Sequence, residues 1–341
     1  MATIEDVAAA TGFSTATVSR ALSRPDVVSD ETRQKVLAAV KRLGYAPNSA
    51  AKILRTTRTG KIIVTVPDIS NPFFAKVIRG VEEAAQAAGY AVLLGDTRGR
   101  IEVEEQYGEM LARREADGVI FLGHRLPDTL AKLVAVKKGR APVVNGCEYA
   151  PDMGVSGAHI DNAGAAHEVI RFLHDLGHRH IGIVTGPMVS PLSRDRLRGA
   201  QRAARSRNIM NGLRVMAGDF SIESGERAAS QLLAQGPNIT AIFCFSDEMA
   251  LGTLAAIRAR GLKCPQDVSV IGFDDIATAR YTNPALTTIR QPMEQLGGCV
   301  VSLLLAILQG EITKPTNETL AYELVVRDST ASARPRKPAA R

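Results

Sequence analysis

The chain opens with three short helical patterns and no strand pattern. Ile4, Val7 and Ala8 share one face of a helix that Thr3 is placed to cap, with Glu5 and Asp6 in its first turn. Thr11-Gly12-Phe13 ends it, since Gly12 can take the positive φ of a tight turn. Ser14 caps a second helix over Thr15–Leu22, whose Val18, Ala21 and Leu22 point back at the first. A third, capped by Ser29, runs from Glu31 to about Leu43 and closes a small core through Val36, Val40 and Leu43. Two short helices, a tight glycine turn and a polar N-terminal face on the second helix describe a helix-turn-helix.

From Lys61 the period changes. Strands are predicted at Ile62–Val66, Ala91–Leu94, Gly118–Leu122, Pro142–Val144, Ile181–Val184, Arg214-Val215, Ala241–Phe245 and Val268–Phe273. Helices are predicted between them, at Phe74–Ala88, Glu102–Arg114, Asn162–Leu176, Arg194–Arg207, Ser224–Ala234 and Glu248–Gly261. Short apolar strands alternating with amphipathic helices imply two parallel, doubly wound α/β subdomains. The fold class is therefore α/β with a small all-α head. A ligand in such a body binds outside the carboxyl ends of the strands, in the cleft between the halves.

Composition agrees, and charge sharpens the picture. A chain of 341 residues is too long for one core, and 45% hydrophobic with 23% charged residues is ordinary for a globular protein. There is no apolar leader run and no stretch of membrane-spanning length, which predicts a cytoplasmic, nucleoid-associated protein without membrane contact. Four scattered cysteines, Cys147, Cys244, Cys264 and Cys299, point away from zinc and from a disulfide framework. Residues 1–60 hold nine Lys/Arg against five Asp/Glu, and residues 327–341 hold five against one. The remainder holds 28 against 29, so the net charge of +7 sits on the head and the tail, as phosphate contact requires of the head. Residues 331–341 read as a disordered basic tail.

The motifs carry a family resemblance. Thr-Ile-x-Asp-Val-Ala at Thr3–Ala8, Ser-Thr-Ala-Thr-Val-Ser-Arg at Ser14–Arg20 and Gly44-Tyr45-x-Pro47-Asn48 resemble the LacI/GalR family of bacterial transcriptional regulators, and the likeness continues to about Arg327. The resemblance implies a helix-turn-helix over residues 1–47 and a hinge helix and linker over 48–60. It implies a sensor of the periplasmic-binding-protein type, built as 61–161 plus 292–319 and 162–291 plus 320–330. The crossovers would lie near Ile160-Asp161, Thr288–Gln291 and Leu320–Glu323, and Tyr322–Val326 would add a last strand to the second subdomain.

The second helix would lie in the major groove. Matching positions assign Thr15, Ala16 and Arg20 to base edges, with Arg20 suited to the O6/N7 pair of guanine or, on the plainer alternative, to a phosphate. Thr17 and Ser19 are phosphate candidates, with capping or a solvent-facing position as the alternative, and Thr3 and Ser14 in the head and Asn48, Ala51 and Arg55 in the hinge are further DNA-binding candidates. Leu54 matches the hinge residue that wedges into the central base step, in a helix too short to be stable alone.

In the sensor, the resemblance places Phe73 or Phe74 against a ligand ring, and Arg196, Asp274, Asp161 and Ser246 beside its polar groups. Val66–Ile69, Ile78–Gly80, Leu122–Pro127, His159–Asn162 and Phe245–Gly252 resemble the cytidine-responsive nucleoside repressors of the family. Ser190 and Leu192 stand where its purine-responsive branch has an arginine and a threonine. The expected partners are thus a pseudo-palindromic double-stranded DNA operator, a small-molecule effector of nucleoside type, and a second copy of the chain as a homodimer. A sugar or pentose effector, an activator or a corepressor-dependent mode are the alternatives, with a transporter-coupled solute-binding protein a weaker one. No cofactor, metal or catalytic residue is expected: no phosphate-binding glycine loop, nucleophile elbow or metal-ligand spacing occurs, and His178-Arg179-His180 falls in a helix-to-strand turn.

Overall fold

A computed structural model describes residues 2–23, 25–46, 58–137, 139–235 and 239–333. The hinge candidates Asn48, Ala51, Leu54 and Arg55, and tail residues 334–341, lie outside the described residues. The chain divides into two compact units, Met1–Thr59 and Gly60–Arg341.

The first unit contains three helices, α1 (Ile4–Thr11), α2 (Thr15–Ser23) and α3 (Asp30–Leu43). Thr3 and Asp6 form a capping box, with the Asp6 backbone N–H donating to the Thr3 hydroxyl and the Thr3 N–H donating to Asp6. Gly12, at φ 73°, ends α1 in the left-handed region that glycine enters without penalty. The core is Val7, Val18, Ala21, Val36 and Ala39, with Ile4, Ala8, Leu22, Val40 and Leu43 packed around it. Ala39 therefore takes the central place that the helical period had given to Val40.

The second unit holds two six-stranded sheets. The first is ordered β11-β5-β4-β3-β1-β2 and is parallel throughout. Its strands are β1 (Lys61–Val66), β2 (Ala91–Asp96), β3 (Gly118–Phe121), β4 (Val143–Gly146), β5 (Ser156–Ile160) and β11 (Asn317–Leu320). On β1, Ile62, Val64 and Val66 face α4 (Pro72–Ala87) and α11 (Met293–Gln309), while Ile63 faces α5 (Ile101–Ala112) and α6 (Asp128–Lys137). Both faces are covered, so the central strands β1 and β3 read as largely apolar runs and not as alternation. Helices α4 and α11 touch at Gly80 and Gly297; a Cβ at Gly297 would lie 2.2 Å from the Val77 carbonyl oxygen.

The second sheet is ordered β12-β10-β9-β8-β6-β7. It comprises β6 (Ile181–Thr185), β7 (Leu213–Ala217), β8 (Ala241–Cys244), β9 (Ser269–Asp274), β10 (Thr287–Arg290) and β12 (Glu323–Val325). Helices α7 (Asn162–Asp175), α8 (Pro191–Ser206), α9 (Ile222–Ala234) and α10 (Asp247–Ala259) cover it around one core.

Five elements differ from expectation. Residues 287–290 form a strand where a crossover was expected, and residues 317–320 add a sixth strand to the first sheet. Strand β5 and helices α6 and α11 are not among the expected elements. In addition, β12 runs antiparallel to β10, so the second sheet is mixed. Among the described residues no helix is long and apolar enough to cross a membrane.

Candidate functional site

The carboxyl ends of β1, β4, β8 and β9 open on a cavity of about 660 Å³ between the two sheets. That falls within the roughly 300–1,000 Å³ usual for small-molecule sites.

One wall comes from the first lobe. Asn71 caps α4 by accepting from the Phe73 N–H at 2.9 Å, and Pro72 occupies the first turn, where its missing N–H costs nothing. This fixes the helix start so that Phe73 and Phe74 both border the cavity, edge to face with centroids 5.2 Å apart. Phe73 is also buried in the core, whereas Phe74 is only partly covered. After β4, Cys147 has φ 72°, a turn that a non-glycine residue adopts at a cost, and Glu148 follows it into the cavity wall.

The opposite wall is more polar. Arg196, on α8, is buried; its Nε donates to Asn162 Oδ1 at 2.9 Å, and Nη1 donates to the Phe245 carbonyl. Its guanidinium stacks over the Phe273 ring at 3.5 Å. Among the described residues no carboxylate lies within ion-pair distance of it. Burial lowers its pKa to about 10, partly offset by Asp274 and Glu148, so it is cationic at neutral pH. Asp274 ends β9 at φ 126°, and its Oδ1 accepts from Gln291 Nε2 at 2.7 Å. Burial raises the Asp274 pKa well above the usual carboxylate range, with Arg196 pulling the other way. Ser246 borders the cavity and caps α10, its hydroxyl accepting from the Met249 N–H at 3.2 Å.

Phe73, Phe74, Arg196, Ser246 and Asp274 thus meet around one cavity, and Asp161 does not join them. Its exposed carboxylate caps α7, accepting from the Gly164 N–H at 2.8 Å, and does not border the cavity. That carboxylate is engaged with the helix's own N–H groups, away from the cavity lining. Glu148 and Gln291 were missed, because their roles arise from contacts with residues far along the chain. Ser190 and Leu192, noted only as departures from the purine branch, together hold Glu148: the Ser190 hydroxyl donates to Oε1 at 2.9 Å and the Leu192 N–H to Oε2 at 3.1 Å. Among the described residues no group of three or more His, Cys, Asp or Glu is arranged to hold a metal ion.

In the head, Ser14, Thr15, Ala16 and Arg20 are exposed along the start and one side of α2, with Thr17 and Ser19 half-buried. The Thr17 N–H donates to the Ser14 hydroxyl at 3.2 Å, which caps α2. Arg20 Nε donates to the Ala16 carbonyl at 3.3 Å, leaving most of the guanidinium fork available. Thr3 is exposed, but its hydroxyl is engaged with Asp6.

Comparison with known proteins accounts for both units. Residues 3–48 match the family of bacterial regulatory proteins, lacI family, and residues 170–330 match the periplasmic binding protein-like domain. The HTH-type transcriptional repressor CytR of Escherichia coli K12 is 39% identical over 330 residues, 96% of each chain. The HTH-type transcriptional repressor PurR of Photobacterium profundum is 36% identical over 331 residues, 96% of this chain and 98% of its own. The crystal structure of the Lac repressor dimer bound to operator and the anti-inducer ONPF matches with a TM-score of 0.86 at 28% identity, over 97% of this chain and 99% of that one. The chain therefore belongs to the LacI family of bacterial regulatory proteins, as a DNA-binding transcriptional repressor with an effector-binding sensor domain.

Proposed function

We propose that the effector is a nucleoside and that its binding in the cleft releases the protein from its operator. The cavity carries this reading: the aromatic rings of Phe73 and Phe74 on one wall suit a planar base, and Arg196, Asp274 and Ser246 on the other suit ribose hydroxyls. The 39% identity to CytR supports the same class. The protein acts in the cytoplasm as a homodimer on a pseudo-palindrome, because a twofold protein matches a twofold site. Thr15, Ala16 and Arg20 read bases; Thr3, Ser14, Thr17 and Ser19 hold the sugar-phosphate backbone. Residues 48–60 form the hinge, in which Leu54 wedges the central step while Asn48, Ala51 and Arg55 contact the minor groove. The protein works by differential binding, with no chemical step.

Calorimetric titration of the full chain with a panel of nucleosides and pentoses tests the effector class. The chain has no tryptophan, so intrinsic fluorescence is a weak probe. Micromolar binding of a nucleoside, and not of free ribose, is expected. Binding of a pentose alone would overturn the nucleoside assignment and leave the family unchanged.

A further inference from the structure

The cleft holds one carboxylate whose presence is unexplained by ring stacking or by hydroxyl recognition. Glu148 follows β4 of the first lobe, is buried, and borders the cavity. Its donors come from the other lobe: the Ser190 hydroxyl, 2.9 Å from Oε1 and 3.2 Å from Oε2, and the Leu192 N–H, 3.1 Å from Oε2. Both belong to the start of α8, whose unsatisfied N–H groups favour negative charge. An ionised carboxylate accepts about four hydrogen bonds, and these two donors do not saturate it. No ion pair completes the set among the described residues. A buried acceptor left partly unfilled is costly, and a ligand N–H entering the cavity would fill it.

The rest of the lining selects in the same direction. Asp68, Asp219, Glu223, Glu248 and Asp274 join Glu148 around the cavity, against the guanidiniums of Arg98 and Arg196. Acceptors and negative charge outnumber fixed cations, which suits a ligand that presents N–H groups and disfavours one that carries a phosphate.

We propose that Glu148 is the specificity-determining residue of the cleft, accepting a hydrogen bond from the exocyclic amino group of an unphosphorylated nucleoside. The proposal rests on the nucleoside reading and adds the residue that recognises the base. A base with a carbonyl in place of the amine would set oxygen against oxygen at Glu148. Burial raises the Glu148 pKa, opposed by the Leu192 N–H and the Ser190 hydroxyl; discrimination against a carbonyl belongs to the ionised form, which those two donors favour, since a protonated carboxyl would donate to the carbonyl. Because its donors lie on the second lobe, the same carboxylate also ties the presence of the amine to the register of the two lobes.

The test is calorimetry of the full-length protein and of Glu148→Ala and Glu148→Gln with cytidine, uridine and cytidine 5′-monophosphate. Circular dichroism and thermal melting check that each variant folds. Wild type should prefer cytidine over uridine and over the monophosphate by roughly tenfold to a hundredfold, the range of a hydrogen bond to a charged group. Glu148→Ala should bring the cytidine-to-uridine ratio to within about threefold, and Glu148→Gln, which keeps a carbonyl acceptor, should retain part of the preference. If wild type prefers cytidine and both folded variants keep its ratio unchanged, the Glu148 assignment fails and the nucleoside reading stands. If wild type binds no nucleoside, the nucleoside reading fails and the assignment falls with it. Should Glu148→Ala not fold, Glu148→Gln alone decides: an unchanged ratio and an unchanged cytidine affinity overturn the proposal.

Discussion

The guanidinium of Arg196 lies 3.5 Å from the centre of the Phe273 ring, with its other contacts on Asn162 and the Phe245 carbonyl. A buried cation held by a ring face and neutral acceptors keeps its charge available to the cleft. It also supports the second lobe. Arg196→Ala should therefore do two things: abolish effector binding by calorimetry, and lower stability by about 2 kcal/mol by stranding two buried acceptors. The variant should still bind operator and resist release. Unchanged effector affinity would place Arg196 in a purely structural role.

Arg20 is exposed on the DNA-facing side proposed for α2, with its Nε alone turned back to Ala16. Arg20→Ala should relax base preference at one position per half-site, a loss of about 1–3 kcal/mol on the preferred sequence. Binding-site selection from a random DNA pool reads this directly. Uniform weakening across all sequences would assign Arg20 to phosphate.

Adjacent glycines on α11 should respond in opposite ways. A Cβ at Gly297 meets the Val77 carbonyl oxygen at 2.2 Å and the Val81 backbone nitrogen at 2.7 Å, whereas one at Gly298 meets nothing within 4 Å. Gly297→Ala must push α4 and α11 apart and should cost about 1–3 kcal/mol or more. Gly298→Ala should stabilise by about 0.4–1 kcal/mol through reduced freedom of the unfolded chain. Urea titration of both variants checks the pair, and equal effects would contradict the described helix contact.

Much of this arrangement was legible from local rules. Thr3, Ser14 and Ser29 announce helix starts because a cap acts within three residues, and Ile62–Val66 announces a doubly covered strand by its unbroken apolar run. Strand β11 was not legible: Asn317-Glu318-Thr319-Leu320 is polar and becomes a strand only because β5 offers it an edge. Glu148 and Gln291 were silent for a similar reason. The partners that give them meaning are Ser190, 42 residues away, and Asp274, 17 residues away. Asp161 reads as a cleft residue from its place at a crossover, whereas its carboxylate caps α7.

Asp247 gives the sensor a pH dependence whose sign is fixed by its burial. Burial raises its pKa to about 6, against hydrogen bonds from the Thr288 hydroxyl and the Ile276 N–H. Its ordinary value is 3.8, so between about pH 4 and 6 the folded chain holds a proton that the unfolded chain has released. Stability then falls as pH rises through that window, by at most about 3 kcal/mol from this group. Glu248, raised to about 7 first by burial and then by Asp68, extends the same slope upward. Asp275 is half-buried, which alone would raise its pKa, but hydrogen bonds from Arg290 and Arg327 hold it low, and its opposite effect appears only below the usual carboxylate range. His124, His159, His167 and His178, all lowered first by burial, contribute the opposite slope below the usual histidine value, so the test is a difference: the melting temperature of ligand-free protein minus that of Asp247→Asn should fall between pH 5 and pH 8. A difference that rises between those pH values would contradict the assignment.

The central claim is that cleft occupancy controls DNA binding. Its most direct test is fluorescence anisotropy of a labelled operator, obtained by selection from random DNA, titrated with the full chain in the presence and absence of a nucleoside. The account predicts that saturating nucleoside weakens operator binding by roughly 5–150-fold, a coupling of about 1–3 kcal/mol, while free ribose has no effect. Operator affinity unchanged by any nucleoside, or altered equally by ribose, would contradict it.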